Sequence, residues 1–520
     1  MSKLGLRRTA AALVMVGMMA GAALGQTSAG DRAKESGQSA ATQNQTAQGT
    51  KPETHITPEQ AKELFASVDK ILQFDSEDTD LPILHKVKRR LTTRAAVEKY
   101  LDDKMKNGKD ARRMERSEIV LKKFGMLDED FHLQPFLVSL LKEQIAGYYD
   151  SKTKTVNLLD WIAPDEQKPV LAHELTHALQ DQRVDLNKWD DQTSDALSKN
   201  VVEDNRHIAT DEEDTARDAV LEGQAMAVFV DYELKPFDRS ILTNPEGVKR
   251  LADEQGSPSD SPVLARAPLV LRDSLLFPYQ DGLKFEVDML VDQGKKGAFA
   301  GVLDHPPSSS YEIMNPRAYE EHVKVPVLTM PDVHGLLDAN YSPYDVGVMG
   351  QLDVRMLTEL FGGPDTAVQL TPEWDGGIYY VVQKKSAQDK DSTSSIALLY
   401  LSQWKTPEAA RAFASMYAGE LGQQYSKVVE DTQDESGPDD LIYNSNEGPM
   451  LISTQGRMVF VSESFPLPLA RKLGFLMVGA QKGDDVNVVT ARVQPTRSLT
   501  GGLVEFMQSC GIMRAALHLY

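Results

Sequence analysis

The stretch that most constrains this 520-residue chain is Val170-Leu171-Ala172-His173-Glu174-Leu175-Thr176-His177-Ala178-Leu179-Gln180-Asp181. It is rich enough in apolar residues to be buried as a helix, yet it carries two histidines and a glutamate in HExxH spacing. At 3.6 residues per turn, His173 and His177 project from one face on adjacent turns, so both imidazoles can reach one ion. Burying three such polar groups is costly unless each finds a partner. Two neutral imidazoles with one further N or O donor suit zinc and leave a position open for water. Glu174, beside the first histidine, can hold that water and take its proton once the ion has lowered its pKa towards about 7. With 10 histidines in the chain, HExxH arises by chance on the order of once in a hundred such sequences. Satisfied core histidines beside a surface glutamate are the plainer and weaker reading.

A third ligand must come from elsewhere. Glu222 is the best candidate, the single carboxylate within Ala219-Val220-Leu221-Glu222-Gly223-Gln224-Ala225-Met226-Ala227-Val228-Phe229. An ionised carboxylate in so apolar a helix is unfavourable unless a cation neutralises it. Gly223 and Ala225 would let a neighbouring helix approach closely. The competing ligand is His207, with Glu203 and Asp218 weaker, and a surface glutamate on an amphipathic helix is the alternative for Glu222 itself.

HExxH followed by a downstream helical glutamate resembles the gluzincin division of zinc metallopeptidases. More narrowly, AHELTHALQDQ with LEGQA, a preceding AGYYD, and the later FPYQDG and PPSSSYEIMNPRAY strings resemble a group of exported, largely uncharacterised bacterial metallopeptidases. The resemblance spans roughly Val120 to Tyr319 and, weakly, the C-terminal domain. It implies His173 and His177 as zinc ligands, Glu174 as general base and Glu222 as third ligand. Two departures stand out. Related sequences often carry an acid where this chain has Gln224, and the interval from His177 to Glu222 is longer than in the best-known gluzincins.

The expected chemistry is peptide hydrolysis. Glu174 takes the water's proton and passes it to the leaving amine. The oxyanion then needs a second electrophile, for which Tyr148, Tyr149, His207, Tyr279 and Tyr311 are candidates that sequence does not separate. Asp181 is either an orienting partner for a ligand imidazole or a solvent contact at the helix end. A hairpin over Gly147 to Leu159 offers an edge strand for an extended peptide. A zinc hydrolase of a non-protein substrate, or a metal-binding scaffold without activity, are the rivals. An intact Glu174 favours catalysis, because a structural zinc site is usually closed by four protein ligands. No GxSxG, Walker A or GxGxxG pattern is present.

Composition sets the frame. With 56 basic against 77 acidic residues, the formal charge of −21 argues against a nucleic-acid partner. Cys510 is the lone cysteine, which excludes an intramolecular disulfide and any Cys-built metal site. Residues 1–25 read as a signal peptide, with Lys3, Arg7 and Arg8 ahead of an apolar run and Ala23-Leu24-Gly25 as the cleavage site. The mature chain is then exported, secreted or periplasmic, without an integral membrane segment. Residues 26–52 read as a disordered linker.

Length divided by about 150 suggests roughly three units. The pattern supports an α+β protein. A mainly helical, zincin-like catalytic domain with a small β hairpin occupies 53–362, and a smaller α+β domain with an antiparallel sheet occupies 363–520. Helices are expected from Thr57, over 84–127, over 167–181 and 215–234, and from Asp281 to about Glu359. The run Asp211-Glu212-Glu213-Asp214 reads as a solvated surface rather than a calcium loop. Oligomeric state and substrate identity have no sequence signature here.

Overall fold

Thr57 starts the first helix among the described residues, as its sequence suggests. Its side chain accepts from the Gln60 backbone, the Gln60 side chain accepts from Thr57, and Pro58 opens α1 (Pro58–Thr79). Leu64, Val68, Ile71 and Leu72 form its buried stripe. In this computed structural model the described residues are 55–105, 108–190, 200–254, 261–432 and 439–481. The expected signal peptide and linker, and Cys510, lie outside them.

A short strand, β1 (Lys88–Thr92), follows α1, then α2 (Arg94–Met105), α3 (Gly108–Lys123) and α4 (Leu133–Gln144). The strand corrects the expectation of unbroken helix over 84–127. It forms by parallel pairing with a segment more than sixty residues downstream, and a local charge pattern cannot register such pairing. The expected hairpin is present as β2 (Tyr148–Asp150) and β3 (Thr155–Leu159), giving a small sheet in the order β1-β3-β2 with β2 at one edge.

Next comes α5 (Pro164–Val184), and Gln167 in its first turn clasps the end of β3 by bonds to both the N–H and C=O of Leu159. The acidic segment holds α6 (Val201–Ile208), then α7 (Glu213–Leu234) and α8 (Leu269–Lys295) follow. α5 packs against α1 and α7, and α7 lies along α8. A π-helical turn over Lys296–Gly301 continues from α8.

A seven-stranded antiparallel sheet completes the fold: β4 (Tyr341–Val348), β5 (Trp374–Lys384), β6 (Ile396–Trp404), β7 (Val428–Glu430), β8 (Asp440–Ser445), β9 (Gly448–Gln455) and β10 (Met458–Glu463). Their spatial order is β4-β5-β6-β10-β9-β8-β7. α9 (Gln351–Gly362) lies between β4 and β5, α10 (Pro407–Gln424) between β6 and β7, and α11 (Leu467–Ala480) after β10. Side chains alternate between faces along a strand. Ile378, Tyr380, Leu399, Leu401 and Phe460 share one core with Ala470, Leu473 and Met477 of α11. Tyr400, from the other set, meets Phe413 of α10 and Phe124 at the end of α3.

The architecture is therefore α+β, with a helical region and an antiparallel sheet. The described residues form one compact unit. The sheet begins at β4, within the 281–359 stretch expected to be helical and on the N-terminal side of the boundary expected between residues 362 and 363. Gly363, with φ of 81°, does break the chain there, but between two helices. No helix among the described residues is long and apolar enough to cross a membrane.

Candidate metal centre

α5 is buried along most of its length, including Val170, Leu171, Ala172, Leu175, Ala178 and Leu179. It packs against α1 and α7, and its histidine-bearing face is aimed at α7. α7 is held in turn by α8, where Gly223 lies against the backbone of Gly282 and Gly282 against Ala219. A Cβ at Gly223 or Gly282 would overlap backbone atoms of the opposite helix. With α7 held there, its direct packing on α5 brings Glu222 to the histidines.

The Nε2 of His173 lies 3.0 Å from Glu222 Oε2 and 3.1 Å from the Nε2 of His177, and His177 Nε2 is 3.6 Å from the same carboxylate oxygen. A tetrahedral ion bound at about 2.0–2.1 Å holds its donor atoms about 3.3–3.4 Å apart. The three observed sides bracket that value, so the donor set fits a single metal ion. It is a His173/His177/Glu222 group, buried apart from a partly accessible His177. Burial would push the Glu222 carboxyl up, but the neighbouring His177 and His173 hold it well below its ordinary value.

Glu174 projects from α5 towards the hairpin. The N–H of Tyr149 donates to its carboxylate, and its Oε1 is buried without a protein partner among the described residues. Gly147 lies close by, near the Glu174 side chain and Val170. Burial pushes the Glu174 carboxyl up to about 7, against the pull of His177.

Two glutamines support the ligands: Gln180, which the sequence did not single out, and Gln224, which it marked only as a departure from related sequences. Gln180 Oε1 is 2.8 Å from His177 Nδ1, and Gln180 Nε2 donates to Leu221 O and to Gln224 Oε1, both at 3.0 Å. Their one sequence signal is being uncharged polar residues inside otherwise apolar helices. Asp181 does not orient an imidazole, nor does it face solvent. It accepts from the Tyr149 hydroxyl at 2.7 Å, from Lys154 at 2.8 Å and from the Leu186 N–H at 3.0 Å, tying the hairpin to the end of α5.

The other candidates are dispersed. His207 pairs with Asp211 at 3.1 Å and is not part of the metal group, nor are Glu203 and Asp218. Tyr148 stacks on Tyr100 and Tyr311 packs against Trp374. Tyr149 is committed to Asp181. Tyr279, on α8, is the one whose ring lies against a ligand, 6.4 Å from that of His173 at 24°. The acidic run is not a solvated surface, since Asp211, Glu212 and Asp214 are buried. Asp211 accepts the Val348 N–H of β4 at 2.7 Å, and Glu212 accepts from the Ser310 hydroxyl. These long-range partners override the local polarity. No protein-family model, curated protein or solved structure matches the chain.

Proposed function

We propose that the chain is an exported, gluzincin-like zinc peptidase with His173, His177 and Glu222 as ligands and Glu174 as general base. The observation carrying this reading is the convergence of two imidazoles and one carboxylate from two helices, with a second carboxylate, Glu174, beside them that is not a ligand. Two nitrogen donors and one oxygen donor suit zinc with a fourth position open. Zinc held there supplies Lewis acidity for a carbonyl and for water. Glu174 takes the proton of the attacking water and delivers it to the leaving amine. Its placement favours this, because its carboxylate is buried next to the ligand His173 with Oε1 unpartnered among the described residues. β2, at the sheet edge and bonded through Tyr149 to Glu174, provides backbone groups beside the base for an extended peptide.

The test pairs metal content with activity. Purified protein is expected to hold about one zinc per chain, and His173→Ala to lose it. Glu174→Gln is expected to keep the zinc while hydrolysis of an unbiased peptide library falls by about 10²–10⁴-fold. Full zinc in H173A would remove the metal site. Equal hydrolysis by wild type and E174Q would remove the peptidase.

A further inference from the structure

His177 is held from behind by a chain of side-chain amides whose direction is set by backbone carbonyls. Gln224 lies at its far end, its Nε2 donating to Ala298 O at 3.0 Å and Phe299 O at 3.1 Å. Both acceptors belong to the π-helical turn Lys296–Gly301. Carbonyls can only accept, so the Gln224 amide cannot turn over, and its Oε1 must face Gln180. Gln180 is fixed in the same way. Its Nε2 points at two acceptors, Leu221 O and Gln224 Oε1, which leaves its Oε1 for His177 Nδ1. An acceptor there requires the proton on Nδ1 and leaves the Nε2 lone pair for an ion. Both glutamines are fully buried, so water does not compete for these bonds. Gln180 also bonds the carbonyl of Leu221, the residue before Glu222, and so spans the second and third ligands in one side chain.

We propose that Gln180 and Gln224 are positioning residues that form a two-amide relay. It sets the tautomer of His177 and its distance from Glu222, and so links metal affinity to the π-helical turn that anchors Gln224. Both links are themselves neutral, and the Gln224 amide also bonds the buried Glu286 carboxyl, which burial holds above its ordinary value. The proposal rests on the metal reading but not on peptidase activity.

The experiment measures zinc affinity by chelator competition and the absorption spectrum of the cobalt(II)-substituted protein. Gln180→Met, similar in shape but unable to hold the ring, is expected to weaken zinc binding by about 10–100-fold and to shift the cobalt spectrum. Gln224→Met, which touches neither ligand, is expected to weaken it by about 3–10-fold. The double variant should bind no more weakly than Q180M alone, because both act through one chain of bonds. Wild-type affinity and an unshifted spectrum in Q180M would overturn the relay. If Q180M does not fold, Q224M decides in the same way: a shifted spectrum supports the relay and an unchanged one overturns it. Wild-type protein that binds no zinc would instead remove the metal reading on which the relay rests.

Discussion

Glu212 shows how far a side chain here can depart from what its neighbours in sequence suggest. It stands in a run of four acids, yet it is buried against Gly350 and the Ser310 hydroxyl. Burial, with Asp353 and Asp211 adding to it against the Ser310 bonds, pushes its carboxyl up to about 8. A raised folded-state value means the fold favours the proton. The stability tied to that proton is full below the ordinary value of 4.5 and is lost as pH rises towards about 8. Glu212→Gln stays neutral throughout. Relative to wild type, it should therefore gain stability between pH 5 and pH 8, by up to about 1.4 kcal/mol per pH unit. Urea unfolding of both proteins at the two pH values checks this, and a constant difference would count against it. Residues of the centre were legible to different degrees. His173 and His177 follow from helical spacing, and Glu222 from being a lone carboxylate in an apolar helix. Gln180 and Gln224 left no charge to explain. Asp181 lies four residues past His177, but helix phase alone does not say that Tyr149 and Lys154 stand opposite it.

Among the elements, α5 and α7 carry the ligands, and the close α7–α8 crossing holds α7 in place. Helices pack this closely only where side chains are absent, and Gly223 and Gly282 remove them at the point of contact. Gly223→Ala should destabilise the protein by about 1–3 kcal/mol through overpacking. It should also weaken zinc binding, because Glu222 is the adjacent residue. A second glycine in a helix makes the contrast. Gly419 on α10 has open space around its Cβ position. Gly419→Ala should stabilise by up to about 1 kcal/mol, from helix propensity alone. Thermal unfolding of the pair tests this, and shifts in the same direction would contradict it. Most helices were readable from periodicity, with Pro58 marking the start of α1, although α5 begins at Pro164, ahead of the expected residue 167. β1 was not, because Lys88–Thr92 becomes a strand only when Thr155–Leu159 lies alongside.

At the scale of the molecule, the helical region and the sheet share their interior. Lys123, at the end of α3, is fully buried and pairs with Glu447 at 2.6 Å and the Ser464 hydroxyl at 2.8 Å. Phe124 beside it packs edge-on to Tyr379 and Tyr400 of the sheet. β4 is hydrogen-bonded to β5 across the position where composition changes. A chain ending at Gly362 would leave Lys123 without its carboxylate and β4 without its partner. Such a fragment is expected to lack cooperative unfolding and zinc binding, as circular dichroism and metal analysis would show. A fragment that unfolds cooperatively and binds zinc like the full chain would refute this coupling. The sequence by itself determined what repeats over a few residues: helix faces, the HExxH pair, the hairpin, and strands that alternate. Only the tertiary structure decided the third donor's approach, the relay behind His177, the role of Asp181, the burial of the acidic run and the sheet's membership. Local periodicity reports which side of an element is apolar, whereas each of those features depends on which other element, many residues away, comes to lie against it.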